Sequence, residues 1–257
     1  MKIDFGKTAS DYGRHRAAFP ESLFQRLTAF DIGVPQQRVL DIGTGTGVLG
    51  RALARAGCSV VGLDPACAML REARRLDLPE NLTIEYLAAR AECVPLADHQ
   101  FDLVSAGQCW HWFDRPRAAI EVRRLLKPTG RILIAHFDWL PLRGNVVEAT
   151  EQLIQCYNSS WLYGGGVGMH PQWLVDLGTS GFLDIESFSF DVDVPYSHED
   201  WRGRIRASAG VAASLSPGEV NRFDEELKDL LLARGEPEFI PIPHRVFAVV
   251  ARTPEMH

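Results

Sequence analysis

The chain has 257 residues, of which 46% are hydrophobic and 23% are charged, and its formal net charge is -6. This balance is typical of a globular protein, and the excess of acidic residues argues against a nucleic-acid partner. The five cysteines form no C-x-x-C pair, which predicts neither a disulfide framework nor a metal site. The N-terminus is polar and no long apolar run is present, so we expect a cytoplasmic protein without a membrane partner. A monomer or homodimer is expected.

Short β-rich runs alternate with helical patterns in the first half of the chain. Helical spacing of apolar residues marks Val48–Ala56, Ala66–Leu76 and Arg117–Leu126. Alternating strands and helices predict a mostly parallel sheet that is covered on both faces. The strand candidates are Arg38–Ile42, Ser59–Leu63, Leu82–Leu87, Phe101–Ala106 and Arg131–Phe137.

The pattern changes after residue 137. Helices are predicted over Asn145–Tyr157, Gln172–Gly178, His198–Ala213 and Pro217–Ala233, and strands over Phe182–Val194 and His244–Arg252. We expect the last two strands to form an antiparallel hairpin and the helices to form a cap. The predicted fold class is therefore a doubly wound, Rossmann-like α/β fold with a seven-stranded sheet.

A glycine-rich loop follows the first strand. The sequence DIGTGTG begins at Asp41, and the next strand ends in Asp64. Glycines allow a tight turn and a close ligand, and a carboxylate at the end of the second strand can accept hydrogen bonds from ribose hydroxyls. Gly45-x-Gly47-x-x-Gly50 also matches the dinucleotide fingerprint, so a nicotinamide-dependent oxidoreductase is one alternative. Asp41 favours a cationic nucleoside instead, because a carboxylate attracts an amino group and repels a pyrophosphate.

Longer motifs around this loop resemble the class I S-adenosylmethionine-dependent methyltransferases, in particular the small-molecule "type 11" group. VLDIGTGTG (39–47) and GLDPACAML (62–70) resemble the first two motifs of that family. The segments 89–114 and 118–135 resemble its later strands and helix, and 5–20 resembles a segment that folds over the cofactor. The resemblance implies one domain over 1–257, with an N-terminal lid and helix at 1–30, a cofactor-binding core at 31–137 and a substrate cap with terminal strands at 138–257.

The resemblance also implies a set of S-adenosylmethionine contacts. Asp41 would meet the methionine end, Asp64 the ribose, and Ala91 and Glu92 the adenine. Many relatives carry Gly-Asp where this chain has Ala89 and Arg90, which leaves the adenine amino contact open. The implied cofactor-binding residues are Tyr12, Arg16, Asp41, Gly43, Gly45, Asp64, Pro65, Met69, Ala91, Glu92, Gln108 and Cys109.

Methyl transfer to a weak nucleophile needs a general base, and His111 in the segment QCWHWF is the candidate. We expect Trp110 to face the pocket, and Trp112 and Phe113 to pack in the core. Later aromatic side chains would line a pocket for a planar small-molecule methyl acceptor. The residues predicted to contact the substrate are Trp110, His136, Trp139 and Trp161, and His170 and Trp173 are further candidates.

Two other features leave alternatives open. Arg202, Arg204 and Arg206 form a basic run that would either grip an acidic acceptor or lie on a solvated helix face, and the second is favoured. The expected function is methyl transfer to an oxygen, nitrogen or carbon atom. A non-catalytic S-adenosylmethionine-binding protein is the other alternative, because the chain has Arg90 where relatives have Asp and carries no unambiguous base.

Overall fold

The computed structural model describes residues 17–162 and 164–255. These residues form a seven-stranded sheet in the order β3-β2-β1-β4-β5-β7-β6. The strands β1 to β5 pair in parallel, and the C-terminal strands are antiparallel, which confirms the predicted fold class. The strands are β1 (Arg38–Ile42), β2 (Ser59–Leu63), β3 (Glu85–Leu87), β4 (Phe101–Gly107), β5 (Leu126–Trp139), β6 (Leu183–Ser197) and β7 (Phe239–Arg252).

Helices connect the strands, and side chains before the first turn fix where several of them begin. Asn145 accepts a hydrogen bond from the backbone N–H of Glu148, 2.9 Å away, and so caps one helix. Ser216 and Glu219 form a reciprocal capping box on another. The helices are α1 (Glu21–Leu27), α2 (Val48–Arg55), α3 (Cys67–Asp77), α4 (Arg115–Leu125), α5 (Val146–Tyr157), α6 (Gln172–Thr179), α7 (His198–Arg206) and α8 (Pro217–Ala233).

The chain divides into two compact units. Among the described residues, the core unit comprises 18–137, 170–190 and 246–255. Its interior is built from side chains of the parallel strands and of α4, such as Leu40, Val104 and Val122, all fully buried.

The helical unit comprises residues 138–169 and 191–245 of the described chain. Its own apolar centre includes Trp201, Phe223 and Leu227, which are fully buried. None of the helices that the structure describes has the length and apolar character that crossing a membrane requires.

Some boundaries differ from the sequence expectation for identifiable reasons. The last strand begins at Phe239 rather than His244, and its added segment contains Pro241 and Pro243. Proline cannot donate to a strand ladder and so weakens the strand pattern, but the carbonyl of Pro243 accepts a 2.8 Å hydrogen bond from Leu140. The helix predicted to extend to Ala213 ends at Arg206.

Candidate functional site

The sheet positions a loop at its centre. β1 lies between β2 and β4, so the order of connections reverses at its carboxyl end. Doubly wound sheets bind ligands at such a switch point. The loop that follows β1 contains Gly43 and Gly45, both in the left-handed region, with φ values of 61° and 56°. Both residues can therefore adopt a turn that side chains with a Cβ disfavour.

The two glycines have different surroundings. A Cβ at Gly43 would lie 2.8 Å from the Cβ of Cys109, so this glycine is required for packing of the loop on the segment after β4. A Cβ at Gly45 would have no described atom within 4 Å. The space beside Gly45 is thus open, and a ligand can reach the backbone there.

Asp41, at the end of β1, is tied into the protein interior. It is 1% exposed. One carboxylate oxygen accepts a 2.6 Å hydrogen bond from the Thr44 hydroxyl, and the other accepts a 2.7 Å hydrogen bond from the Ser105 hydroxyl on β4. Burial raises the pKa of Asp41 to about 6, despite these hydrogen bonds. Asp41 therefore fixes the loop to the neighbouring strand.

Asp64, at the end of β2, joins the same loop from the other side. Its carboxylate accepts hydrogen bonds from the backbone N–H of Gly45 at 3.0 Å and of Ala66 at 2.8 Å. The side chain is partly buried, and burial raises its pKa above the usual range. The two backbone bonds hold the carboxylate beside the open space at Gly45.

The start of α2 has one buried hydroxyl that the described residues leave unused, whereas the Gly50 N–H of its first turn already donates to Asp41. Thr46 is 1% exposed, and its hydroxyl has no hydrogen-bond partner within residues 17–162 and 164–255. Gly47 precedes the helix and offers no side-chain cap. A buried hydroxyl and a helix N-terminus together favour a negatively charged ligand group.

In the segment after β3, protein groups hold the carboxylate of Glu92. Ala91 is buried, and Glu92 accepts hydrogen bonds from the backbone of Asp114 at 3.0 Å and from Arg90 at 3.2 Å. Burial raises the pKa of Glu92, but these hydrogen bonds and the Arg90 charge lower it more, so the net shift is downward. The Glu92 carboxylate thus anchors the residue that caps α4.

The segment after β4 brings polar and aromatic residues to the same end of the sheet. Gln108 has a φ of 60°, an uncommon value for a side chain with a Cβ, and its N–H donates to the Ala135 carbonyl at 2.8 Å. The Cys109 thiol donates to the Ile42 carbonyl at 3.1 Å. Both residues are therefore fixed beside the ends of neighbouring strands.

Three histidines of the core unit lie close together. The His136 ring centre is 5.6 Å from that of His111 and 4.5 Å from that of His170. His170 stacks on Trp173 at 4.2 Å with nearly parallel planes. His136 is buried, whereas His111 and His170 are partly buried. In the described part of the chain, no group of three or more His, Cys, Asp or Glu side chains has an arrangement that could hold a metal ion.

Comparisons with known proteins bear on this site. Residues 40–134 match the family model described as a methyltransferase domain. An uncharacterised methyltransferase of Mycobacterium tuberculosis is 38% identical over 132 residues, which cover 51% of each chain. An uncharacterised methyltransferase of Schizosaccharomyces pombe is 26% identical over 229 residues, covering 88% of this chain and 86% of that one. This chain spans about half the length of the first curated relatives that it matches.

The matched segment, residues 40–134, is similar to a methyltransferase domain, which supports the predicted resemblance to the class I S-adenosylmethionine-dependent methyltransferases. The fold is also that of solved structures. Phosphoethanolamine N-methyltransferase 2 of Haemonchus contortus, solved with S-adenosylmethionine, has a TM-score of 0.59 and 21% identity over 98% of this chain and 57% of its own. The cyclase SpnF has a TM-score of 0.56 and 20% identity, covering 94% and 84%.

Several residues predicted to bind the cofactor lie together. The residues after β1, β2 and β4 meet through the hydrogen bonds of Asp64 to Gly45 and of Cys109 to Ile42. Met69 is buried and Pro65 is exposed. Tyr12 and Arg16, predicted to close the site, lie outside the described residues.

Trp110 requires a correction. The expectation was that it faces a pocket, but it is fully buried in the apolar centre of the core unit. Its indole N–H donates to Asp176 at 3.3 Å. A short 3-10 turn over Trp110–Trp112 points this ring into the core and leaves Trp112, expected to be packed, 37% exposed.

The later candidates divide between the units. His136 belongs to the core unit, whereas Trp139 and Trp161 belong to the helical unit and are buried. The basic run on α7 is not a solvated face, because Arg202 and Arg206 both pair with Asp224 of α8 and are largely buried. Sequence reasoning missed Ser105 and Thr46, since a single hydroxyl in a strand or loop carries no recognisable pattern.

Proposed function

We propose that this chain binds S-adenosylmethionine on the loop between β1 and α2. The buried Thr46 hydroxyl, which has no partner among the described residues, carries this proposal, because it can donate to the methionine carboxylate at the start of α2. Asp64 would accept from the ribose hydroxyls, and Pro65, Met69 and Ala91 would pack near the adenine. Asp41 would act through the loop that it anchors. The open space at Gly45 fits the close approach that such a ligand needs.

We further propose methyl transfer to an oxygen, nitrogen or carbon atom of a small, planar or aromatic acceptor. S-adenosylmethionine would supply a methyl group on a sulfonium; a well-aligned nucleophile would bond to the methyl carbon as the carbon–sulfur bond breaks, and S-adenosylhomocysteine would leave with the electron pair on sulfur. His111 would take the proton of a weak nucleophile, and His136 beside it would help to position the acceptor. The aromatic residues around these histidines support a planar acceptor.

Calorimetric titration with S-adenosylhomocysteine tests the cofactor site. We expect saturable binding to the wild type, and an affinity about tenfold weaker for Thr46→Val, which loses one hydrogen bond to a charged group. Thr46→Ser keeps the hydroxyl and serves as the matched control. Binding of NADH in place of S-adenosylhomocysteine would instead support the oxidoreductase alternative.

Turnover is tested separately with labelled S-adenosylmethionine and a panel of phenols, amines, carboxylates and activated carbon acids. We expect transfer to at least one planar acceptor. His111→Gln should lower kcat and remove the ionisation of the base from its pH profile, while binding of S-adenosylhomocysteine is kept. Binding without turnover on any acceptor would favour the non-catalytic alternative.

A further inference from the structure

The three arginines of α7 have different partners. Arg202 and Arg206 lie four residues apart, on one face of the helix, and both donate to the Asp224 carboxylate of α8. Arg204 lies between them in sequence and therefore points about 200° away around the helix. Arg202 and Arg206 therefore pack α7 on α8 through Asp224, and Arg204 does not take part in this contact.

Arg204 is buried with little compensation for its charge. It is 6% exposed. The nearest carboxylate oxygen, Oδ1 of Asp138, is 3.6 Å from its Nη2, which is too long for a hydrogen bond, and that oxygen already accepts from the Trp139 N–H at 3.0 Å. No N–H group of Arg204 donates a hydrogen bond to any residue in the described ranges. None of its nitrogens is among the fully buried side-chain atoms that lack a partner, so its N–H groups keep access to solvent and can reach a ligand.

The Arg204 guanidinium nevertheless has a fixed position. Its central carbon lies 4.5 Å from the centre of the Trp139 ring. That ring is held in turn, because its indole N–H donates to Glu151 at 2.8 Å and its edge packs on Trp201. Stacking satisfies a face of the guanidinium and leaves its edge, with the N–H donors, available. Such preorganisation lowers the cost of binding a ligand.

We propose that the helical unit carries a binding site for an organic carboxylate, centred on Arg204. The planar donor fork of arginine matches the two oxygens of a carboxylate. Asp138, 3.6 Å away, disfavours a doubly charged phosphate more strongly than a singly charged carboxylate. The Trp139 ring beside the guanidinium, which Trp201 supports from within the apolar centre, suits an apolar body on the ligand. The site stands independently of the methyl transfer proposed above.

Equilibrium binding of benzoate and hexanoate to the full chain tests this site, with benzamide as the uncharged control and inorganic phosphate as the alternative anion. We expect the wild type to bind at least one of the two carboxylates saturably, and neither benzamide nor phosphate with comparable affinity. Arg204→Met should weaken carboxylate binding by at least about tenfold, since charge-assisted hydrogen bonds are lost. Arg204→Lys keeps the charge without the fork and should be intermediate.

Thermal unfolding distinguishes this role from a structural one. Arg204→Met keeps an apolar stem beside Trp139 and removes a charge whose 3.6 Å ion pair is with the partly exposed Asp138, so the variant without ligand should be about as stable as the wild type or more so. Arg222→Met, at an exposed position of α8, matches the charge change and should leave carboxylate binding unaltered. The proposal is overturned if neither carboxylate binds the wild type, if phosphate binds as well, or if Arg204→Met binds as the wild type does. It is also overturned if Arg204→Met loses stability, which would mark Arg204 as a structural residue.

Discussion

Asp41 and Asp64 are the same residue at the ends of neighbouring parallel strands, yet their carboxylates are used differently. Asp41 is almost fully buried and accepts from two hydroxyl groups, on Thr44 and Ser105. Asp64 is only partly buried and accepts from two backbone N–H groups. The buried Asp41 carboxylate, bonded to two hydroxyl groups, fixes the loop to the neighbouring strand. The partly exposed Asp64 carboxylate keeps lone pairs that can accept from a ligand.

We therefore expect replacements of Asp64 and of Asp41 to change different properties of the protein, ligand affinity and folding stability. Replacing Asp64 should change ligand affinity with little effect on folding, because water can reach the groups that it leaves behind. Replacing Asp41 should change folding first, because Thr44 and Ser105 would lose a buried acceptor. Measuring both properties for both variants tests whether this division holds.

The largest effect is expected for Asp64→Ala. If its carboxylate accepts from two ribose hydroxyls, at roughly 1.5 kcal/mol each, the loss should weaken S-adenosylhomocysteine binding by about a hundredfold. Titration calorimetry measures this, and Asp64→Asn should lie between Ala and wild type. An unchanged affinity for Asp64→Ala, or a loss of folding comparable to that of the Asp41 variant, would contradict the assignment.

A smaller effect is expected for Asp41→Ala, and it concerns stability. Two buried hydroxyls lose their acceptor and a small cavity remains, so the free energy of unfolding should fall by about 2 kcal/mol at acidic pH. Urea denaturation followed by circular dichroism measures the loss. The same measurement on Asp64→Ala should give about 1 kcal/mol or less. Equal losses for both variants would remove the distinction between them.

Much of the core unit could be predicted from the sequence. β1 and β2 have the predicted bounds, because strands buried on both faces are short, continuous apolar runs. Asp41 and Asp64 were singled out because the glycine loop and the strand ends are local patterns. The second hydroxyl partner of Asp41, Ser105, could not be predicted in this way. It is 64 residues away and meets Asp41 only through the register of β1 with β4.

The rest of the candidate site depends on side-chain directions that sequence spacing does not determine. In the segment QCWHWF, the 3-10 turn buries Trp110 and exposes Trp112, the reverse of the expectation. The three arginines of α7 occur at every second position, so the sequence does not distinguish between them. Asp224 on α8 pairs with Arg202 and Arg206 and not with Arg204. Such differences arise from tertiary packing, which local sequence patterns do not determine.

The smallest expected effect, and the sharpest test of Asp41, is its pH dependence. The pKa of Asp41 is raised from 3.8 to about 6, so the folded chain binds the proton more tightly than the unfolded chain does. The stability from this residue is therefore fully present below about pH 4 and is lost as the pH rises through about 6. Between about pH 5 and pH 8 the loss should be about 1.4 kcal/mol, the equivalent of one pKa unit. The penalty for Asp41→Ala should shrink by that amount over the same range in urea denaturation. A penalty that stayed constant would mean that Asp41 does not titrate in this window, and that its hydroxyl partners stabilise the carboxylate more than burial destabilises it.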